Sequence, residues 1–249
     1  MLHFPTTIVQ ALTLLVLPLQ LQSLGLQLSA RTPPGCPEKR IVVLLDISGS
    51  MDTARIDTLH SSELLSAATL FGPCGGELAF GLIGESPPAR LQLLSLPARP
   101  PLRDTVKIRD NAYEGAQDRN TNANIRQQNA STVDRWRHET EERRRQFGRN
   151  VDHLLRTTSK TNKSPVCEAT RRADRFLREA PSQSAKLFAI LITDGADTTQ
   201  RDPCPVLSSR AEVILVKDGD DAHNLRSVVT RHVSSFASAL RIISNTSGR

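Results

Sequence analysis

The chain has 249 residues, a formal net charge of +6, 38% hydrophobic residues and only 4% aromatic ones. That length allows one sizeable core or two small ones, and a core short of aromatics must be built from Leu, Ile, Val and Ala, which suits an α/β sheet better than an aromatic-rich sandwich. The basic residues are interleaved with acidic ones and have no aromatic stacking partners, so the charge reads as a solvation property and argues against a nucleic-acid binder.

Residues 1–30 come first, apolar with scattered glutamines and free of charge from Pro5 to Ala30. They read as an export signal or an uncleaved N-terminal membrane anchor, which places the protein outside the cytoplasm, whether secreted, periplasmic or anchored. After the linker RTPPGCPEKR comes a strand over Ile41 to Leu45. Its unbroken aliphatic character fits a parallel strand covered on both faces. Apolar residues at helical spacing predict a helix over 54–71, closed by Gly72-Pro73. A strand over 77–83 and a second over 90–96 follow at hairpin distance, which makes the second antiparallel.

Residues 97–160 change character and read as a polar, partly helical insertion. PARPPLRD is an irregular connector, 110–131 is low in core formers, and only STVDRWRHETEERRRQFGRNVDHLLR carries an apolar stripe, through Val133, Trp136, Phe147, Val151, Leu154 and Leu155. Trp136 and Phe147 are the candidates for contact with another protein. Beyond it the pattern predicts a helix from Ser164, a buried strand over 186–193, a strand over 212–216, a helix over 222–233 and a last short strand over 239–243. Strands alternating with helices give a doubly wound, mostly parallel α/β sheet over 38–245, with one antiparallel edge strand and helices on both faces.

In such a sheet ligands bind beyond the carboxyl ends of the strands. Asp46 ends the first buried strand and Asp194 follows the other, so both stand on that edge, with Ser48 and Ser50 in the turn after Asp46. Neighbouring strands lie roughly 5 Å apart, and two carboxylates that close repel unless a cation separates them. Oxygen ligands alone suit Mg²⁺ first, with Mn²⁺ or Ca²⁺ possible, and disfavour Zn²⁺.

DISGS at 46–50, joined to LITDG at 191–195 in strand context, resembles the von Willebrand factor type A domain and its metal-ion-dependent adhesion site. The frame SPVCEAT places Ser164 where that family has a threonine, with Thr161 as a rival. The resemblance implies direct ligation by Ser48, Ser50 and Ser164, with Asp46 and Asp194 acting through water. It also implies that the last coordination position takes an Asp or Glu from a protein partner. The expected topology puts Cys36 and Cys74 at one end of the sheet and Cys167 and Cys204 at the other, giving those two disulfides.

Enzyme motifs are missing: there is no G-x-S-x-G elbow, phosphate-binding loop or G-x-G-x-x-G, and Ala173 stands where a Cys-x5-Arg loop from Cys167 needs arginine. Two non-catalytic expectations follow. One is an exported, metal-dependent adhesion module that captures an acidic side chain. The other is a structural or assembly component whose 97–160 insertion makes the contact, with a weak or vestigial metal site.

Overall fold

In a computed structural model of the chain, residues 37–49, 51, 59–84, 91–159, 163–180, 183–193, 199, 203–216 and 225–246 are described. The apolar N-terminal segment, Cys36, Ser50, Thr161 and Asp194 lie outside them. Among the described residues no helix is long and apolar enough to cross a membrane.

The elements in chain order are β1 (Lys39–Asp46), α1 (Ser61–Ala68), β2 (Gly76–Ile83), β3 (Gln92–Leu96), α2 (Ala112–Thr157), α3 (Val166–Arg178), β4 (Lys186–Ile192), β5 (Glu212–Val216), β6 (Arg231–Val233) and α4 (Phe236–Asn245). One six-stranded sheet runs in the order β3-β2-β1-β4-β5-β6. Only the β2–β3 pair is antiparallel; the other pairs are parallel. The fold is a doubly wound α/β sheet with helices on both faces.

β1 is buried at all eight positions, and its alternating side chains feed two separate cores. Ile41, Val43 and Leu45 pack with Leu64 and Ala67 of α1, Phe147 and Val151 of α2, and Ala239 and Ile243 of α4. Val42 and Leu44 pack with Val166, Ala169, Ala173 and Leu177 of α3 on the opposite face. A strand whose every position is buried is stable only in such a place.

Two stretches differ from the sequence expectation. The expected helix over 222–233 and strand over 239–243 are replaced by strand β6 at 231–233 and helix α4 at 236–245. Ser235 caps that helix, its side chain accepting from the Ser238 amide, and Phe236, Ala239, Leu240 and Ile243 share its inner face. Short β6 exists because β5 pairs with it, from Ile214↔Arg231 to Val216↔Val233. The low-core stretch from 112 onward is also fully helical, so α2 is one helix of 46 residues, roughly 69 Å long. Its C-terminal part docks on the sheet. Phe147→Ala should cost about 3–5 kcal/mol by cavity formation, read as a lower denaturation midpoint in urea.

Candidate functional site

Strand order reverses between β1 and β4, and these two parallel strands end side by side, Leu45 opposite Ile192. Asp46 is fully buried there. Its Oδ2 accepts from the Ser164 hydroxyl at 2.5 Å and the Thr193 hydroxyl at 2.7 Å. Its Oδ1 accepts from the Ser48 amide at 2.8 Å. Ser48, Ser164 and Thr193 are themselves buried. The chain therefore brings together three of the expected residues, Asp46, Ser48 and Ser164, and adds Thr193, the residue just past β4. A hydroxyl one position past Ile192, in register with Asp46, was the available signal.

This geometry corrects the expected metal chemistry. Oxygen-only cation sites draw on several carboxylates, and the carboxylate that stands here, Asp46, accepts hydrogen bonds from protein donors at both oxygens. Among the described residues no group of three or more His, Cys, Asp or Glu side chains could hold an ion. The Mg²⁺, Mn²⁺ or Ca²⁺ cofactor therefore falls. With it fall the capture of a partner's Asp or Glu through the metal, and the metal-dependent adhesion function that this capture would serve. Of the five expected ligands, Ser50 and Asp194 lie outside the described residues. The cluster's evident work is mechanical: one carboxylate ties the end of β1 to the end of β4 and to the start of α3.

The same helix start is braced covalently. Cys167 and Cys204 form a disulfide with Cα atoms 4.9 Å apart, and Cys74 is also disulfide-bonded. The loop carrying Cys204 is held again by Asp174 of α3, which accepts from the Ser208 hydroxyl at 2.6 Å and the Ser209 amide at 2.8 Å. Burial pushes the Asp174 carboxyl up, but those hydrogen bonds outweigh it and hold it below the ordinary carboxylate value.

The second candidate region is the insertion. Phe147 is 2% exposed and belongs to the core, so it is not a surface contact. Trp136 is half-buried, and its Nε1 donates to the Pro97 carbonyl at 3.0 Å. This bond starts a strap, residues 97–110, that runs back along α2. Asn129 accepts from the Arg103 amide at 3.0 Å and donates to the Arg103 carbonyl at 2.9 Å. Asn122 grips Val106 in the same way, at 2.8 and 2.9 Å. Asp118 accepts from the Arg109 amide at 3.0 Å and from its guanidinium at 2.9 and 3.0 Å. Three residues of extended chain cover roughly 9 Å and seven helical residues roughly 10.5 Å, so Arg103 and Val106 meet Asn129 and Asn122 in step. Gly115 lets the strap close, because a Cβ there would lie 2.6 Å from the Arg109 carbonyl oxygen.

The result is a braced arm whose outer surface is exposed, including Leu102, Val106, Ile108 and Tyr113. Arg143 of α2 also donates to the Ser95 carbonyl of β3 at 3.0 Å, and α2 lies along that strand.

No family model matches the chain, and no curated protein matches it. Among solved structures it is similar to a von Willebrand factor type A protein from Catenulispora acidiphila, at 18% identity and a TM-score of 0.43 over 85% of this chain and 42% of that one. It is also similar to proximal thread matrix protein 1 of the mussel byssus, at 9% identity and a TM-score of 0.41 over 84% of this chain and 47% of that one. A further structure of that byssus protein, described as having a zinc-occupied MIDAS motif, matches at 11% identity and a TM-score of 0.39 over 86% of this chain and 46% of that one. The chain thus spans less than half the length of each of these proteins. At these identities and scores the likeness assigns no chemistry to it.

Two outcomes test the site. Thr193→Val and Ser164→Ala each remove one hydrogen-bond donor to the buried Asp46 side chain and should cost about 1–3 kcal/mol. Thermal melts should show this loss equally in chelator and in Mg²⁺, since the tie uses no ion. In the arm, the hydrogen bonds from Arg109 hold Asp118 below its ordinary value. A depressed folded pKa means that the clasp stabilises fully above about pH 4 and is lost as pH falls through the lower folded value. The Arg109 amide and Nε proton resonances should therefore move only in that acid window.

Proposed function

We propose that this chain is an exported, non-catalytic assembly component that meets its protein partner through the arm formed by residues 97–160, inserted in a domain spanning 38–245. The observation that carries this reading is the way the arm is built. Only the C-terminal part of α2, around Phe147 and Val151, enters the core. The N-terminal part of that helix buries little beyond Gly115, Asp118 and Asn122, yet it is braced by paired side-chain to main-chain hydrogen bonds along its length. Ordering that many residues costs conformational entropy that the core does not repay. A stiff projecting element makes sense as a presented surface, since rigidity lowers the entropy lost on binding.

Export is supported by the Cys167–Cys204 disulfide and by bonded Cys74, because such bonds persist outside the reducing cytosol. The apolar segment at 1–30 supplies the targeting expectation. The Asp46 edge serves here as an internal tie that keeps the sheet and α3 in fixed relation.

Site-specific photo-crosslinking in cells that make the protein tests the reading. A benzophenone side chain placed at Tyr113, which is 73% exposed, should trap the partner in the assembled complex, while one at exposed Gly49 beside the Asp46 edge should not. Crosslinks from Gly49 with none from Tyr113 would overturn it.

A further inference from the structure

Salt bridges compensate much of the charge on α2: Asp134 pairs with Arg137 at 3.6 Å, Glu139 with Arg143 at 2.6 Å and Glu142 with Arg145 at 3.2 Å. Arg135 sits among these pairs yet, among the described residues, has no hydrogen-bond or ion-pair partner. It lines an open cavity of about 580 Å³ with Arg103 of the strap and Asn124, Gln127, Gln128 and Ser131 of α2. No carboxylate lines this cavity. Asn124, Gln128, Ser131 and Arg135 follow one another at steps of four, three and four, so they share one helix face.

Arg103 is the second cation. Asn129 binds both its main-chain N–H and its C=O, which already fixes the strap at this point. Its guanidinium is held as well, with Nη1 donating to Gln128 Oε1 at 2.9 Å. The Gln128 amide is neutral, so this contact fixes the position of the charge and leaves it uncompensated. A concave wall with one sign of charge focuses the field and gathers ions of the opposite sign.

We propose that this cavity binds a phosphate monoester on a hydroxylated carrier, such as a sugar phosphate. Arg103 and Arg135 take the phosphate, and the amide and hydroxyl side chains of α2 take the carrier. The proposal is separate from the assembly reading, and either can fail alone.

Charge and shape select the phosphate. A phosphate monoester carries about two negative charges at neutral pH and three strong acceptor oxygens. Two guanidiniums balance that charge and bind such oxygens through paired N–H groups. A carboxylate brings one charge and two oxygens, which leaves one arginine uncompensated. Because Arg103 is already held in place, less entropy is lost when the anion arrives.

Size and lining select the carrier. The cavity is larger than a phosphate group alone fills and lies in the range of small-molecule sites. Asn124, Gln127 and Ser131 are exposed and have no hydrogen-bond partner among the described residues. They offer donors and acceptors side by side, as a row of hydroxyls requires. Pro101 is the one apolar residue of the lining, so an apolar carrier would find little to bury against.

Calorimetric titration of the full chain with glucose 6-phosphate tests this. Inorganic phosphate, glucose and gluconate are run in parallel: the anion alone, the hydroxyls alone, and a carboxylate on a similar hydroxylated chain. The expected result is saturable binding of glucose 6-phosphate, about tenfold or more tighter than that of the other three and about tenfold or more weaker in the Arg135→Ala variant. Arg135 is exposed, and an unchanged melting midpoint confirms that the variant is folded. No saturable binding of glucose 6-phosphate, equal binding of any of the other three, or unchanged affinity in the variant overturns the proposal. Crosslinking from Tyr113 is read independently of these titrations, so failure here leaves the assembly reading standing.

Discussion

A strand buried along its whole length must sit between two other strands and beneath two layers of helix, and β1 imposes that condition on everything around it. Its odd positions require one apolar layer and its even positions another, so the chain has to supply helices to both faces. The placement of Asp46 follows from the same constraint. The strand delivers a carboxylate to a fully buried point. Burying a lone carboxylate there would be costly. Two hydroxyls and an amide converge on it instead, drawn from three separate segments.

The buried sheet was legible from the sequence because long aliphatic runs have few alternatives. β1, β4 and the β2–β3 pair stand where the pattern placed them. The C-terminal reversal was not legible for a definite reason. Strand β6 has only three residues, too few for any periodicity, and its conformation is fixed by hydrogen bonding to β5. The first half of α2 is not legible in the sequence because it carries no apolar stripe. What covers that helix is the backbone of the strap, and peptide groups are the same in every sequence. The telling residues were Asp118, Asn122 and Asn129, at spacings of four and seven, which look like ordinary polar helix surface until their partner is known.

The candidate site was half legible. The motif around Asp46 correctly picked out side chains that converge, since Ser48 and Ser164 do meet it. What a motif does not contain is the direction of the hydrogen bonds. An oxygen cluster can face outward, toward an ion, or inward, toward itself. Here the hydroxyls of Ser164 and Thr193 donate inward to Asp46, and that direction depends on β1 and β4 ending side by side, which only the folded chain displays.

The position of α2 along β3 has one more consequence. Exposed sheet edges are natural templates for pairing with further strands, and proteins that are not meant to polymerise keep them short or covered. Here one outer strand is overlaid by a helix whose Arg143 occupies a carbonyl of β3, and the opposite outer strand has only three residues. Growth by strand addition is thereby hindered on one side, and the other offers little template. An assembly containing this protein would be stitched together by side chains and helices, and its geometry would not propagate through continuous β-structure.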